Sequence, residues 1–368
     1  MVSKLIPFFI AFMPWSAFLF KQVDIWHAHG HYFQSGLLIL YALSFFDKPK
    51  EIKILNKPLG IFILWTGLIT CYLWISIFTK TNNYPIKIFM PFFNILCFAL
   101  LYKLSLEYVD SKVIVKTLKY LKISIGIIAL YAILQYFKLD QFYVGIGSSG
   151  DQVVGTIGNQ SHLAGFLAIL LPIFYGSWWL IPMIIAILLT KSISGIAVGL
   201  LVWIGFLLYK RKFLLVGFIV TITLFICELY FKSNPGFFSF SHRLSVWHKA
   251  WDMIQNNAIT GSGLGTFGLA NVNGIDNITS HWRHAHNEYL QSWFEIGIVG
   301  LGIIIWAIVE YFKNFRLDIK LSLIFLGFCL LSLVSFPSHL WLIAMVGMIS
   351  YSWLYSLKNE VLNAQNPS

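Results

Sequence analysis

Residues 289 to 312 read YLQSWFEIGIVGLGIIIWAIVEYF. The run contains no Lys or Arg, and its two carboxylates, Glu295 and Glu310, stand toward its ends. About 20 predominantly apolar residues in a helix cross the hydrocarbon core of a bilayer. The stretch is therefore predicted to be a membrane span, and the rest of the chain follows the same pattern. Of 368 residues, 58% are hydrophobic and 11% charged, against about 25% charged in a soluble domain. So few charges cannot cover a water-facing exterior, so lipid must solvate most of the surface.

Twelve apolar runs are expected as spans: 5 to 20, 32 to 46, 59 to 79, 85 to 102, 119 to 137, 161 to 175, 177 to 190, 192 to 209, 213 to 231, 289 to 312, 320 to 336 and 338 to 357. The expected fold is all-α, a single integral membrane domain over 1–368. The tail after Lys358 reads as frayed. The first run lacks a small-residue cleavage site and reads as a span rather than a signal peptide.

The net charge of +11 could suggest nucleic acid, but no basic face is long enough to follow a phosphate backbone. The cations fall in short clusters. With the N-terminus inside, alternate connections hold Lys48, Lys50, Lys53 and Lys57; then Lys103, Lys112, Lys116, Lys119 and Lys122; then Lys210, Arg211 and Lys212; then Lys313, Arg316 and Lys320. With Lys4 and Lys358 these make seventeen of the 26 Lys and Arg. That asymmetry places both termini in the cytoplasm. The 4 cysteines all lie in apolar runs without a CxxC pair, so neither a metal site nor a disulfide framework is read.

Two external segments exceed simple connectors. Residues 138 to 160 are rich in Gly and Ser, and residues 232 to 288 form a large loop between spans nine and ten. From Ser241 to Gln255, Leu244, Trp247, Trp251 and Ile254 recur at helical spacing and predict one apolar stripe, with Ser241 as N-cap. Arg243 would then stand in the first turn, where a cation opposes the helix dipole. That conflict points to an anionic partner elsewhere; the alternative is a solvated arginine.

Gly261-Ser262-Gly263-Leu264-Gly265-Thr266-Phe267-Gly268 resembles a phosphate-cradling loop but matches neither nucleotide fingerprint, and sharp backbone turns are the simpler reading. The loop closes on His281-Trp282-Arg283-His284-Ala285-His286-Asn287-Glu288-Tyr289-Leu290-Gln291. Asn287 is placed to cap the following helix, and a histidine at such a helix start can accept a proton near neutral pH. His284 and His286 lack the carboxylate company of a metal site, and none is read.

Three of these stretches resemble the O-antigen ligase and polymerase superfamily of bacterial envelope glycosyltransferases. They are Gly155-Thr156-Ile157-Gly158-Asn159-Gln160 through Leu163-Ala164; Arg243 with Trp247 and the glycine run; and His284 through Gln291 with Glu295, Gly297 and Gly300. The resemblance covers about 150 to 305. It implies transfer of a glycan from an undecaprenyl-diphosphate carrier to a hydroxyl of lipid A core or a similar acceptor, metal-independent, inverting and without cofactor. It implies His286 as base and Arg243 as the diphosphate cation. Asn159, Arg283, His284, Asn287 and Glu295 are the further candidate substrate contacts.

Many members carry an arginine where this chain reads Lys191-Ser192-Ile193-Ser194-Gly195, so Lys191 is the candidate replacement. The implied location is the inner membrane, with the site facing the periplasm. A polymerase extending the glycan on its carrier shares the motif set, and a protein O-oligosaccharyltransferase is the weaker rival. A transporter is the rival from another class. Its cue is the His27, His29 and His31 cluster in the first external loop, which otherwise reads as a hydrated interfacial loop.

Overall fold

A computed structural model describes residues 1–18, 25–50, 57–79, 85–139, 153–216, 219, 238–268 and 284–365. Among them every regular element is helical. In chain order these are α1 (Val2–Phe12), α2 (Ile25–Ser44), α3 (Lys57–Thr79), α4 (Pro85–Tyr108), α5 (Ser111–Tyr136), α6 (Gln160–Leu170), α7 (Leu180–Leu189), α8 (Ile193–Tyr209), α9 (Phe238–Ile254), α10 (Glu288–Phe312), α11 (Ile319–Leu331) and α12 (Trp341–Gln365). Short 3-10 turns extend α1 and α6 and precede α12.

Eleven of the twelve apolar runs coincide with described helices. The ninth, 213 to 231, lies outside the described residues beyond its first turn. Met90–Tyr108 and Glu288–Phe312 are each long and apolar enough to cross a bilayer alone. Outward residues on other helices are apolar too: Leu64 and Leu68 of α3 are 69% and 66% exposed. An exterior of this kind fits a membrane protein.

α6 is the hub. Every residue from His162 to Leu170 is buried, as expected for a helix that is apolar all round. Small residues set its register against α8. A Cβ on Gly195 would lie 2.3 Å from that of Ala164, and one on Gly199 would lie 3.3 Å from that of Ala168. The four-residue step is the same on both helices, so α6 and α8 run parallel with backbones in close approach. α11 runs antiparallel to α6, since Gly165 faces Leu331 and Gly327 faces Ile169.

Several expectations change. α2 begins at Ile25, so the three histidines lie on a helix and not in a loop. His29 is buried, its ring bonding Ser16 Oγ at 2.8 Å and the Thr156 carbonyl at 3.1 Å. α12 continues to Gln365, so the tail past Lys358 is helical. α9 begins at Phe238; Ser241 is therefore inside the helix rather than its N-cap, and Arg243 stands in the second turn.

The buried stripe of α9 is Val246, Ala250 and Ile254. Leu244 and Trp251 are 39% and 47% exposed, so the helix is rotated from the expected face. Ala250 is buried in a cluster with Phe294 of α10, while Trp251 lies edge-on to Trp293, ring centroids 5.3 Å apart.

Candidate active site

α10 organises the site, and it is broken. Gly297 has φ 71 and ψ 178, outside helical values. The break strips carbonyls of their usual i+4 partners, and unsatisfied backbone at membrane depth is costly. The glycine run supplies replacements. Ser262 N–H donates to the Phe294 carbonyl and Gly263 N–H to that of Glu295, both at 2.7 Å. Trp65 Nε1–H reaches the Ile296 carbonyl at 2.9 Å.

Close approach explains two glycines. A Cβ on Gly297 would lie 2.0 Å from the Ile259 oxygen, and one on Gly261 would lie 2.5 Å from the Glu295 oxygen. Gly265 N–H donates to Glu295 Oε2 at 2.9 Å. The run therefore braces a broken helix and binds the protein's own carboxylate, which corrects its likeness to a phosphate cradle.

The histidine segment is tied from both sides. Trp247 Nε1–H of α9 donates to the Ala285 carbonyl at 3.0 Å. Ala285 N–H donates to Gln291 Oε1 at 3.1 Å. Asn287 caps α10, accepting from Tyr289 and Leu290 N–H at 3.0 and 3.1 Å. Between these ties His286 adopts a left-handed φ of 52, which costs an L-residue about 1–2 kcal/mol.

Phe336, between α11 and α12, gathers three imidazoles. His284 stacks on its face with centroids 4.3 Å apart, while His286 and His162 meet it edge-on at 4.8 and 5.2 Å. With His286 in this left-handed turn, both members of the pair meet one ring. Two residues before Phe336, the Val334 carbonyl accepts from Arg243 Nη1 at 2.9 Å. Among the described residues no carboxylate pairs with Arg243.

The electrostatics divide the cluster. Burial, then the Arg243 charge, pushes His286 down to about 4. Burial, then neighbouring histidines, takes His284 to about 2. Both rings are therefore neutral at pH 7. Burial also lowers Arg243, which nonetheless keeps its proton. His339 is set against a carboxylate instead, its Nδ1 lying 3.3 Å from Glu288 Oε1. Glu288 Oε1 also accepts from Ser338 N–H and Oγ–H at 2.8 and 2.6 Å. Gln291 Nε2–H donates to Glu295 Oε1 at 3.1 Å and faces His284 Nδ1 at 3.4 Å.

The structure thus brings together Arg243, His284, His286 and Glu295, with Asn287 as the cap beneath them. Asn159 caps α6, accepting from Ser161 and His162 N–H. Lys191 is exposed, and the α6–α8 register puts it beside the start of α6, at the same end of the bundle. Arg283 lies outside the described residues. Sequence reasoning missed Phe336, Ser338 and His339. Their cue was the polar Ser335-Phe336-Pro337-Ser338-His339 between two apolar runs, which reads as a bare turn.

A cavity of about 390 Å³ opens beside this cluster. Glu288, Gln291, Glu295, Ser338 and His339 line one end; Ile304, Ile308, Phe328, Met348 and Tyr351 line the other.

Comparison with known proteins points the same way. Residues 153–305 match the family described as O-antigen ligase. A protein of Rickettsia felis (strain ATCC VR-1525 / URRWXCal2), named as a candidate polysaccharide ligase, is 30% identical over 132 residues, which is 34% of this chain. The match covers 30% of that relative's length. The matched segment holds Arg243, the glycine run, the histidine pair and the break in α10, and it is this segment that is similar to the O-antigen ligase family.

Proposed function

We propose that the protein is a glycosyltransferase of the inner membrane, moving a glycan from undecaprenyl diphosphate to a hydroxyl of lipid A core or a similar acceptor on the periplasmic side. The observation that carries this reading is a half-buried arginine, bonded to the Val334 carbonyl and without a described carboxylate partner, whose charge acts on a neutral histidine set edge-on to Phe336. A guanidinium offers five N–H donors in a fork that suits phosphate oxygens, and the Val334 bond uses one. In this scheme His286 takes the acceptor's proton. The freed oxygen attacks the anomeric carbon from the face opposite the diphosphate. The carbon–oxygen bond to phosphate breaks, and Arg243 stabilises the departing charge. An anionic donor beside Arg243 offsets the charge that depresses His286, so the base strengthens when the donor is bound.

The test is incubation of purified protein with lipid-diphosphate glycan and lipid A core in the presence of a chelator. The expected product is the glycan–lipid A core conjugate. Longer carrier-linked glycan without conjugate would indicate a polymerase instead, and loss of all transfer under chelation would remove the metal-free scheme.

A further inference from the structure

Gln291 and Glu295 stand one turn apart on α10, just before the break at Gly297. Both are buried, at 2% and 5% exposure. The orientation of the Gln291 amide is decided by its neighbours. Ala285 N–H points at it from 3.1 Å, and only the amide oxygen can accept that bond. The amide nitrogen is therefore the donor on the other side. It gives one hydrogen to Glu295 Oε1 at 3.1 Å. Its second hydrogen lies between His339 Nε2 at 3.2 Å and His284 Nδ1 at 3.4 Å. Glu295 Oε2 in turn accepts from Gly265 N–H at 2.9 Å.

These bonds form one line, from the glycine run through Glu295 and Gln291 to the residue between the two histidines. Ala285 is buried. Its N–H is held by α10 and its carbonyl by Trp247 of α9 at 3.0 Å. His286 follows in a left-handed φ of 52, a conformation that persists only where the surroundings over-determine it. Both Glu295 oxygens serve donors of the protein itself, although the side chain borders the cavity.

We propose that Gln291 and Glu295 are positioning residues for His286: they hold the histidine turn in place through Ala285 instead of contacting substrate. His286 is a base only under the glycan-transfer reading, and the catalytic consequence of this assignment rests on that reading.

Donor and acceptor must alternate along the line, and this makes it testable by exchange. Glu295→Gln alone breaks the alternation. Whichever way the new amide turns, its N–H faces the N–H of Gly265 or of Gln291. Adding Gln291→Glu restores it. The new carboxylate accepts from Ala285 N–H and from the new amide at position 295, whose oxygen accepts from Gly265 N–H.

The experiment compares wild type, Glu295→Gln and the double variant as full chains in lipid nanodiscs. It measures transfer kinetics and, with no substrate present, the rate at which diethyl pyrocarbonate modifies His286, read by peptide mass spectrometry. Glu295→Gln is expected to lose about a hundredfold in kcat, the effect of a misplacement near 1 Å, at unchanged KM for donor and acceptor. Its His286 should be modified faster. The double variant should regain most of the lost kcat and the wild-type modification rate. If Glu295→Gln does not fold, the double variant decides alone: kcat near wild type supports the assignment, and a hundredfold loss overturns it. A raised KM that Gln291→Glu does not correct would make Glu295 a substrate contact and overturn the proposal. So would wild-type kcat in Glu295→Gln, or one modification rate in all three proteins. No conjugate from the wild type, with the modification rate still altered and regained across the variants, would remove the glycan-transfer reading and leave the positioning of His286 standing.

Discussion

Arg243 carries its charge into a half-buried position, where it donates to a backbone carbonyl, that of Val334. A lysine there keeps the charge but loses the fork. Arg243→Lys is therefore expected to lose ten- to hundredfold in transfer at normal membrane insertion, the worth of a charge-assisted bond at about 1.5–3 kcal/mol. Conjugate formed per inserted protein measures it, and full activity in Arg243→Ala would reduce the residue to a surface cation. The histidines add a pH signature. His284 at about 2 and His286 at about 4 lie below the ordinary 6.5, so the unfolded chain binds more protons and stability falls as pH drops from 6.5 toward 4. Thermal stability in nanodiscs should therefore fall on the acid side of pH 6.5, and His284→Ala should flatten that fall; an unchanged acid side would contradict the burial of that ring. Arg243 and His286 were legible because their motif is local. The Glu288–His339 pair was not, since its partners are 51 positions apart and no spacing rule joins them.

At the scale of elements, the apolar run of α10 announced a helix, but nothing in its composition announced the break at Gly297. The glycine was visible; its need was not, because that need comes from the Ile259 oxygen 38 positions upstream, 2.0 Å from any added Cβ. Gly297→Ala combines a left-handed backbone with that overlap and should destabilise by about 3 kcal/mol or more. The measurement is folded yield after detergent extraction, and wild-type yield would show that the brace is dispensable. α9 was legible as a helix yet rotated from its expected stripe. Trp and Leu outrank Ala in apolarity, yet the buried face is that of Val246, Ala250 and Ile254.

At the scale of the whole molecule, hydrophobic runs placed eleven helices because lipid-facing and core-facing residues are both apolar and leave long unbroken signals. Packing order was not readable from them; it depends on small-residue contacts such as Gly195 on Ala164. The charge pattern makes a separate prediction. A reporter fused after Lys212 should be cytoplasmic and one inserted within 268 to 280 periplasmic; both on one side would overturn the twelve-span arrangement. The central claim is that a neutral histidine at the head of α10 takes the proton of an acceptor hydroxyl while Arg243 holds the leaving phosphate. A positioned base contributes roughly a hundred- to ten-thousandfold in rate. The most direct test compares conjugate formation by wild type, His286→Ala and His284→Ala in membranes matched for expression, with donor and acceptor supplied. The account predicts transfer abolished in His286→Ala and only weakened in His284→Ala; transfer retained in His286→Ala would contradict it.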